Sequence, residues 1–369
     1  MHLAFIDIAS AYGADRPDED APLGGTTSAV CFLAREMVKA GIACTFFNKV
    51  GEPLAACGIR SLPLEALADE CSNPVYSAFV FCGRWTEWLV RLVAGASRAP
   101  VVGWMHESLM GTEFVPALDT FRGMVFVSEW QKKVNQSFVA PSCQQIVIRN
   151  AMNPVFERLF APDEPTLAAK GGDAPIIFYV GATPRGALHM PGVIAHLQHR
   201  LPDFSVEIYS SCAPSRDPVE NAACFARMRA LSHVTHVGMV GQAELAQRMK
   251  RASIMAMPNP WPETSCIALI EAMAAGLMVV ATDRAALPET AAGFARHVPV
   301  EDADHPIRFD MEIPYEAFAD AIALEWRERV RKPEERERRL RAQIDAVVAN
   351  YQWRHRVALW TSFLAGLSG

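Results

Sequence analysis

Residues 258–282 read PNPWPETSCIALIEAMAAGLMVVAT. The segment opens as a loop, continues as an apolar helix, stops at Gly276 and ends in a short apolar strand of the kind that parallel sheets bury on both faces. The helix is expected to open near Glu263. A loop, helix and buried strand in that order form one step of a doubly wound α/β sheet. Glu271 lies eight positions after Glu263, so on a helix rising about 1.5 Å per residue the two carboxylates stand roughly 12 Å apart on similar sides. That separation suits a ligand with hydroxyls at both ends and an anionic spacer between them, which is the layout of a nucleotide-sugar. The amides of Ser265, Cys266 and Ile267 at the helix start would face the diphosphate, where the helix dipole favours anions. The simpler alternative makes Glu263 a helix-start residue and Glu271 a surface residue. The apolar neighbours of Glu271, from Ile267 to Met273, count against it, because a buried carboxylate needs partners.

Outward from this segment the same rhythm fills the chain. LAFIDIA, IACTFFNKV, SAFVFC, VVGWMH, GMVFVS and QQIVIRN read as strands in the first half, with the helix TSAVCFLAREMVKAG after the first of them. Thr26 or Thr27 is placed to cap that helix, and Gly41 to close it. The segment NPVFERLFAPDEPTLAAKGGDAP, rich in Pro, Gly and charge, reads as the connection between halves. A second doubly wound unit then runs from IIFYVGA to LMVVAT. From Tyr315 the pattern is helical, with the run EWRERVRKPEERERRLRA broken at Pro333 and read as a solvated face.

The chain has 369 residues, 51% hydrophobic and 21% charged, with a formal net charge of -6. Length favours two domains, and the composition is that of a globular protein with no basic excess for nucleic acid. Nine scattered cysteines without a C-x-x-C pair suggest neither disulfides nor a zinc site, so a reducing cytoplasm is the expected home. MHLAFIDIAS lacks a signal-peptide pattern, and IALIEAMAAGLMVVA is too short to span a bilayer. Peripheral contact with the inner face of a membrane stays open.

The segment around Glu263 and Glu271 resembles the E-x7-E signature of the retaining glycosyltransferases of GT-B fold, family four (glycosyl transferases group 1). LGGTTSAV, WMHES, FVSEWQKK, IRNAMNP, FYVGATPRG, HVGMVGQAEL, AALPET and YQWRHRVALW agree with that family in order along the chain. The resemblance implies two Rossmann-like domains facing a cleft: residues 1–151 on the acceptor side, joined by a closing helix at 352–369, and residues 152–351 binding the donor, with a hinge near Asn150. The helical spacing at 353, 357, 360 and 364, with two tryptophans on one face, demands a large apolar partner.

The resemblance also implies roles. Glu263 would hold the donor sugar hydroxyls and Glu271 the ribose. Gly24 and Gly25 would let backbone approach phosphate and sugar. His106 would line the reaction centre, and Arg185 would neutralise the departing diphosphate. Gly181, Val240, Thr264, Ser265, Cys266 and Ile267 complete the expected donor site. Two departures stand out: the loop GATPRG carries one cation where the family commonly has two, and Cys266 replaces a small residue, so that its thiol would narrow the sugar pocket. The implied reaction is front-face substitution at the anomeric carbon with retention, a hexose passing from a UDP- or GDP-sugar to a hydroxyl acceptor in glycan, glycolipid or glycosylated-metabolite synthesis. It needs no cofactor and no metal, and no His/Cys ligand cluster is present. The alternatives are a catalytically silent scaffold that binds glycan or protein, and an epimerase or hydrolase of nucleotide-sugars.

Overall fold

The computed structural model describes the chain except residues 19–21, 108–117, 211–217, 232, 307, 309–310 and 368–369. Two compact units are present, one made of Met1–Glu19, Leu23–Ala151 and Tyr351–Gly369, the other built on Met152–Asn350.

The first unit runs β1 (His2–Ile6), α1 (Gly25–Lys39), β2 (Ala43–Asn48), β3 (Leu54–Ala56), β4 (Ile59–Pro63), α2 (Leu67–Glu70), β5 (Ala78–Cys82), α3 (Glu87–Ala96), β6 (Val101–Trp104), β7 (Gly123–Phe126), α4 (Glu129–Asn135) and β8 (Gln144–Val147). Among the described residues its sheet has the order β3-β4-β2-β1-β5-β6-β7-β8, parallel except for the β3–β4 hairpin. That hairpin turns through Cys57 (φ 53°) and Gly58 (φ 75°), the pair of left-handed residues that fits the twist of its strands. Every residue of AFVFC in β5 is buried, as expected for a strand covered on both faces. Neither threonine caps α1: Gly24 occupies the cap position and no side chain bonds there. The chain enters the helix earlier than expected, which puts Thr26 and Thr27 inside the first turn. Gly41 closes the helix at φ 80°.

The second unit runs α5 (Thr166–Ala169), β9 (Ile176–Val180), α6 (Met190–Leu197), β10 (Ser205–Tyr209), α7 (Pro218–Arg229), β11 (Val234–His236), α8 (Gln242–Arg251), β12 (Ile254–Met257), α9 (Ile267–Ala274), β13 (Met278–Thr282), α10 (Leu287–Ala291), β14 (Ala295–Val298), α11 (Tyr315–Arg331) and α12 (Pro333–Asn350). Among the described residues its strands are all parallel, in the order β11-β10-β9-β12-β13-β14. Both sheets are thus doubly wound.

The charged run across Pro333 departs from a plain solvated face. Glu325 and Arg336 are buried and paired at 2.7 Å, and Arg296 of β14 joins Glu325 at 2.6 Å and Glu328 at 3.2 Å. The break at Pro333 folds α12 back so that its first turn meets the last turns of α11. Lys170 is a second buried charge, its ammonium held by the carbonyls of Met249 (3.4 Å), Lys250 (2.9 Å) and Ala275 (2.6 Å). These carbonyls end α8 and α9, where helices leave acceptors unsatisfied.

The chain closes with α13 (Trp353–Leu367), which packs in the first unit. Trp353 and Trp360 are buried against Trp104 of β6, with ring centroids 6.4 and 5.0 Å away. A Cβ on Gly123 would lie 2.7 Å from Leu367 and 2.8 Å from Phe363, so a side chain there would push both of these out of their present positions. Arg356 of α13 donates to the carbonyls of Arg149 (2.7 Å) and Asn150 (3.3 Å), the last residues before the crossing into the second unit.

Candidate functional site

The chain leaves β12 at Met257 into a loop that must hold a charge without solvent. Glu263 is 4% exposed. A buried carboxylate persists only with partners. Arg185 Nη1 donates to both of its oxygens, at 2.8 and 2.9 Å, and Asn259 Nδ2 donates to one of them at 3.1 Å. Arg185 arrives from the turn that follows β9. Gly186 permits this approach: at φ 144° a Cβ there would meet the Tyr179 ring at 3.0 Å and the Pro258 carbonyl at 3.2 Å. The Arg185 guanidinium also lies 5.8 Å from the centre of the Trp261 ring. The adjacent Glu263 pushes its pKa up further, so it is a permanent cation. Its side chain is 43% exposed where that of Glu263 is 5%.

The helix start differs from the sequence expectation. α9 begins at Ile267, with Cys266 as its cap residue in the left-handed region at φ 59°, and Glu263 to Ser265 belong to the loop. A helical rise therefore does not describe the spacing of Glu263 and Glu271. Tertiary bonds account for the shift: the Glu263 carbonyl accepts from Ala286 N and the Ser265 carbonyl from Thr290 Oγ1, so neither joins a helical ladder. Leu269 and Ile270 donate to the Cys266 carbonyl, which leaves the earlier amides outside the helix's own ladder. Burial, with Glu263 beside it, pushes the Cys266 thiol well up, so this cysteine is not a thiolate at neutral pH.

Glu271 is buried on α9, 6% exposed, and accepts a hydrogen bond from the amide of Asn153 at 3.1 Å. Burial pushes its pKa up to about 7, against the pull of that bond. Asn153 caps the short turn at Pro154–Phe156 through Val155 and reaches Gln242 Oε1 at 3.4 Å. The surface alternative for Glu271 is thereby removed.

Several residues that hold this site were not singled out from sequence. Asn259 is fully buried; its Oδ1 accepts from Trp261 N (2.9 Å) and its carbonyl from Thr282 Oγ1 (2.8 Å). Arg284 is fully buried without a carboxylate partner among its hydrogen bonds. It donates to the carbonyls of Pro260 (3.1 Å), Ala303 (2.5 Å) and Arg308 (2.7 Å), and burial pushes its pKa down to about 10. Ala286 N reaches the Glu263 carbonyl at 3.0 Å, and Thr290 Oγ1 the Ser265 carbonyl at 2.6 Å. The end of β13 and the turn after it thus lace the loop 259–265 in place. The hint in sequence was a lone Arg284 closing an apolar strand.

The remaining expected residues fall as follows. Gly181 ends β9 at φ 155°, Thr264 sits in the loop, and Val240 is half-buried just before the Gly241 cap of α8. Gly24 and Gly25 open α1 of the first unit, and a Cβ at Gly24 would meet nothing within 4 Å in the chain itself. His106 follows β6 at the carboxyl edge of the same sheet, its ring 4.6 Å from that of Trp104. Burial pushes its pKa down to about 3, so the imidazole is neutral. Glu107 is exposed and pairs with Arg84 at 3.0 Å. Gly24, Gly25 and His106 therefore belong to one unit and Arg185, Glu263 and Glu271 to the other. Among the described residues no group of three or more His, Cys, Asp or Glu is placed to hold a metal, and no helix is long and apolar enough to cross a membrane.

The profile of the family described as Glycosyl transferases group 1 matches residues 174–313. No curated protein matches the chain. Solved structures do. A sucrose-phosphate synthase from Thermosynechococcus elongatus is 18% identical, with a TM-score of 0.73 over 99% of this chain and 98% of that one. A glycosyltransferase from Rickettsia africae is 14% identical, with a TM-score of 0.76 over 99% and 98%. Anabaena HepE, solved with UDP and glucose, is 13% identical, with a TM-score of 0.68 over 99% and 100%. Residues 174–313, which carry Arg185, Glu263 and Glu271, thus match the glycosyl transferases group 1 model, and the chain as a whole has the GT-B fold of these structures.

Proposed function

We propose that this chain is a retaining glycosyltransferase that moves a hexose from a UDP- or GDP-sugar to a hydroxyl-bearing acceptor. The observation that carries the reading is the pairing of an exposed, permanent cation with a buried carboxylate, Arg185 with Glu263, a few residues before a helix that buries a second carboxylate, Glu271. In the donor complex Arg185 meets the diphosphate, Glu263 the sugar hydroxyls and Glu271 the ribose. The amides ahead of Leu269, with Thr264, Ser265, Cys266 and Ile267 around them, supply further donors to the phosphates. Charge grows on the leaving oxygen as the glycosidic bond breaks, and Arg185 and these amides stabilise it. His106, neutral, acts as a hydrogen-bonding wall rather than as a charge. Gly24 and Gly25 leave the start of α1 open to backbone approach. In this reading no metal takes part, and transfer survives EDTA; activity lost in EDTA and restored by magnesium or manganese would remove that part. HepE, whose structures hold UDP, glucose and UDP-glucose, makes the uridine donors the first to try.

The test is a thermal-shift screen against UDP, GDP, ADP and their sugars, followed by nucleotide release with and without acceptors. A ligand at a hundred times its Kd adds about 2.7 kcal/mol of stability. Release that depends on acceptor supports transfer. Release without acceptor identifies a hydrolase, and binding without release identifies a silent scaffold.

A further inference from the structure

Glu263 has two partners of different kinds. Arg185 is a 43% exposed side chain on a short turn, and in the proposed donor complex its charge is needed at the diphosphate. Asn259 has no such freedom: it is fully buried, and its side-chain oxygen, its amide and its carbonyl are tied to Trp261, Met257 and Thr282. Its Nδ2 points at Glu263 Oε1 over 3.1 Å.

We propose that Asn259 is the positioning residue for Glu263. It keeps the carboxylate aimed when Arg185 turns from Glu263 to the diphosphate, so that Arg185 serves the carboxylate in the free protein and the phosphates in the complex. The assignment rests on the transferase reading above. It explains how a buried acid survives the departure of its cation: one fixed N–H from a carboxamide remains, and the sugar's hydroxyls replace the guanidinium as donors. Asn259 itself touches no ligand in this scheme. Its effect is on sugar discrimination, the ratio of the Kd of a sugar-free nucleoside diphosphate to that of the full donor, and not on the nucleotide's own affinity.

The informative variant is Asn259→Asp. It keeps the acceptor for Trp261 N and all backbone bonds but replaces the donor to Glu263 by a carboxylate. The charged or titratable groups around that pair are Arg185, Tyr179 and Cys266. Calorimetric titration with UDP-glucose and UDP, and with GDP-mannose and GDP, gives the discrimination ratio at pH 6 and pH 8, and taking the ratio cancels effects at the ribose. Asn259→Asp should lose at least tenfold in discrimination at pH 8 and regain most of it at pH 6, where a shared proton restores a donor between the carboxyls; UDP or GDP affinity should stay within twofold at pH 8. Asn259→Ala should lose discrimination at both pH values. Equal losses for nucleotide and full donor, unchanged discrimination, or a loss in Asn259→Asp that pH does not recover would overturn the assignment while leaving the transferase reading intact. If the wild-type chain binds neither pair, the transferase reading falls and takes the assignment with it.

Discussion

Glu271 holds its proton up to about pH 7 because α9 buries it, an effect that outweighs the Asn153 amide's donation to the carboxylate. The sign of the consequence follows from linkage. Its folded pKa lies above the ordinary 4.5, so the native state binds the extra proton, and stability falls as pH rises from about 4.5 to 7 and is level above. Glu271→Gln keeps the acceptor and removes the charge. It should therefore stabilise the chain by on the order of 2 to 3 kcal/mol above pH 7 and by little near pH 4.5, as read by urea unfolding across that range. The same variant should lose nucleotide affinity at pH 8, where a charge-assisted bond to ribose contributes about 1.5–3 kcal/mol. Wild-type affinity should weaken up to about tenfold per unit below pH 7, and the variant's should not. Calorimetry showing equal pH dependence in both would remove Glu271 from the ribose. Cys266 presents a different cost, a left-handed φ of 59° on a residue with a Cβ. Cys266→Gly should raise the unfolding free energy by about 0.5–1 kcal/mol, the relieved strain being offset in part by the entropy of glycine. Iodoacetamide at pH 7 should label the exposed Cys57 long before Cys266.

At the level of elements, the central strands were legible because they are short apolar runs, AFVFC and MVVAT being buried at every position, whereas β3, β4 and β14, with polar residues or only three positions, were not read as strands. The helix at 267–274 was legible as a helix but not in its start, since the carbonyls of Glu263 and Ser265 are taken by Ala286 and Thr290, partners more than twenty residues away. The connections that fix the loop before it were not legible at all. Arg284 bonds to carbonyls 18 to 24 residues away, and Lys170 bridges the ends of α8 and α9 from 79 to 105 residues away. No local pattern encodes such partners, since a lysine or arginine donating to carbonyls leaves no complementary residue in the sequence. Lys170→Met should expose this: three buried carbonyls lose their donor, and the cost should be about 2–5 kcal/mol by denaturant titration. A loss under 1 kcal/mol would mean that water takes the ammonium's place.

For the molecule as a whole, α13 is the element that makes the first unit discontinuous. Trp360 is fully buried, so Trp360→Ala should cost about 3–5 kcal/mol and release apolar surface in the first unit that binds a hydrophobic dye. Dye binding and stability equal to wild type would mean that β6 repacks without the indole. The clasp from Arg356 to the carbonyls of Arg149 and Asn150 spans 207 and 206 residues of chain. During synthesis, then, the second unit has all its strands and helices in one uninterrupted stretch and can mature as it leaves the ribosome. The first-made sheet cannot: the apolar faces of Trp104 and Gly123 wait uncovered until residues 353–367 arrive, some two hundred peptide bonds later. At about 5–20 residues per second that delay is on the order of ten to forty seconds, during which the uncovered apolar face of the first sheet is open to aggregation. The order of translation is thus the reverse of the order of completion.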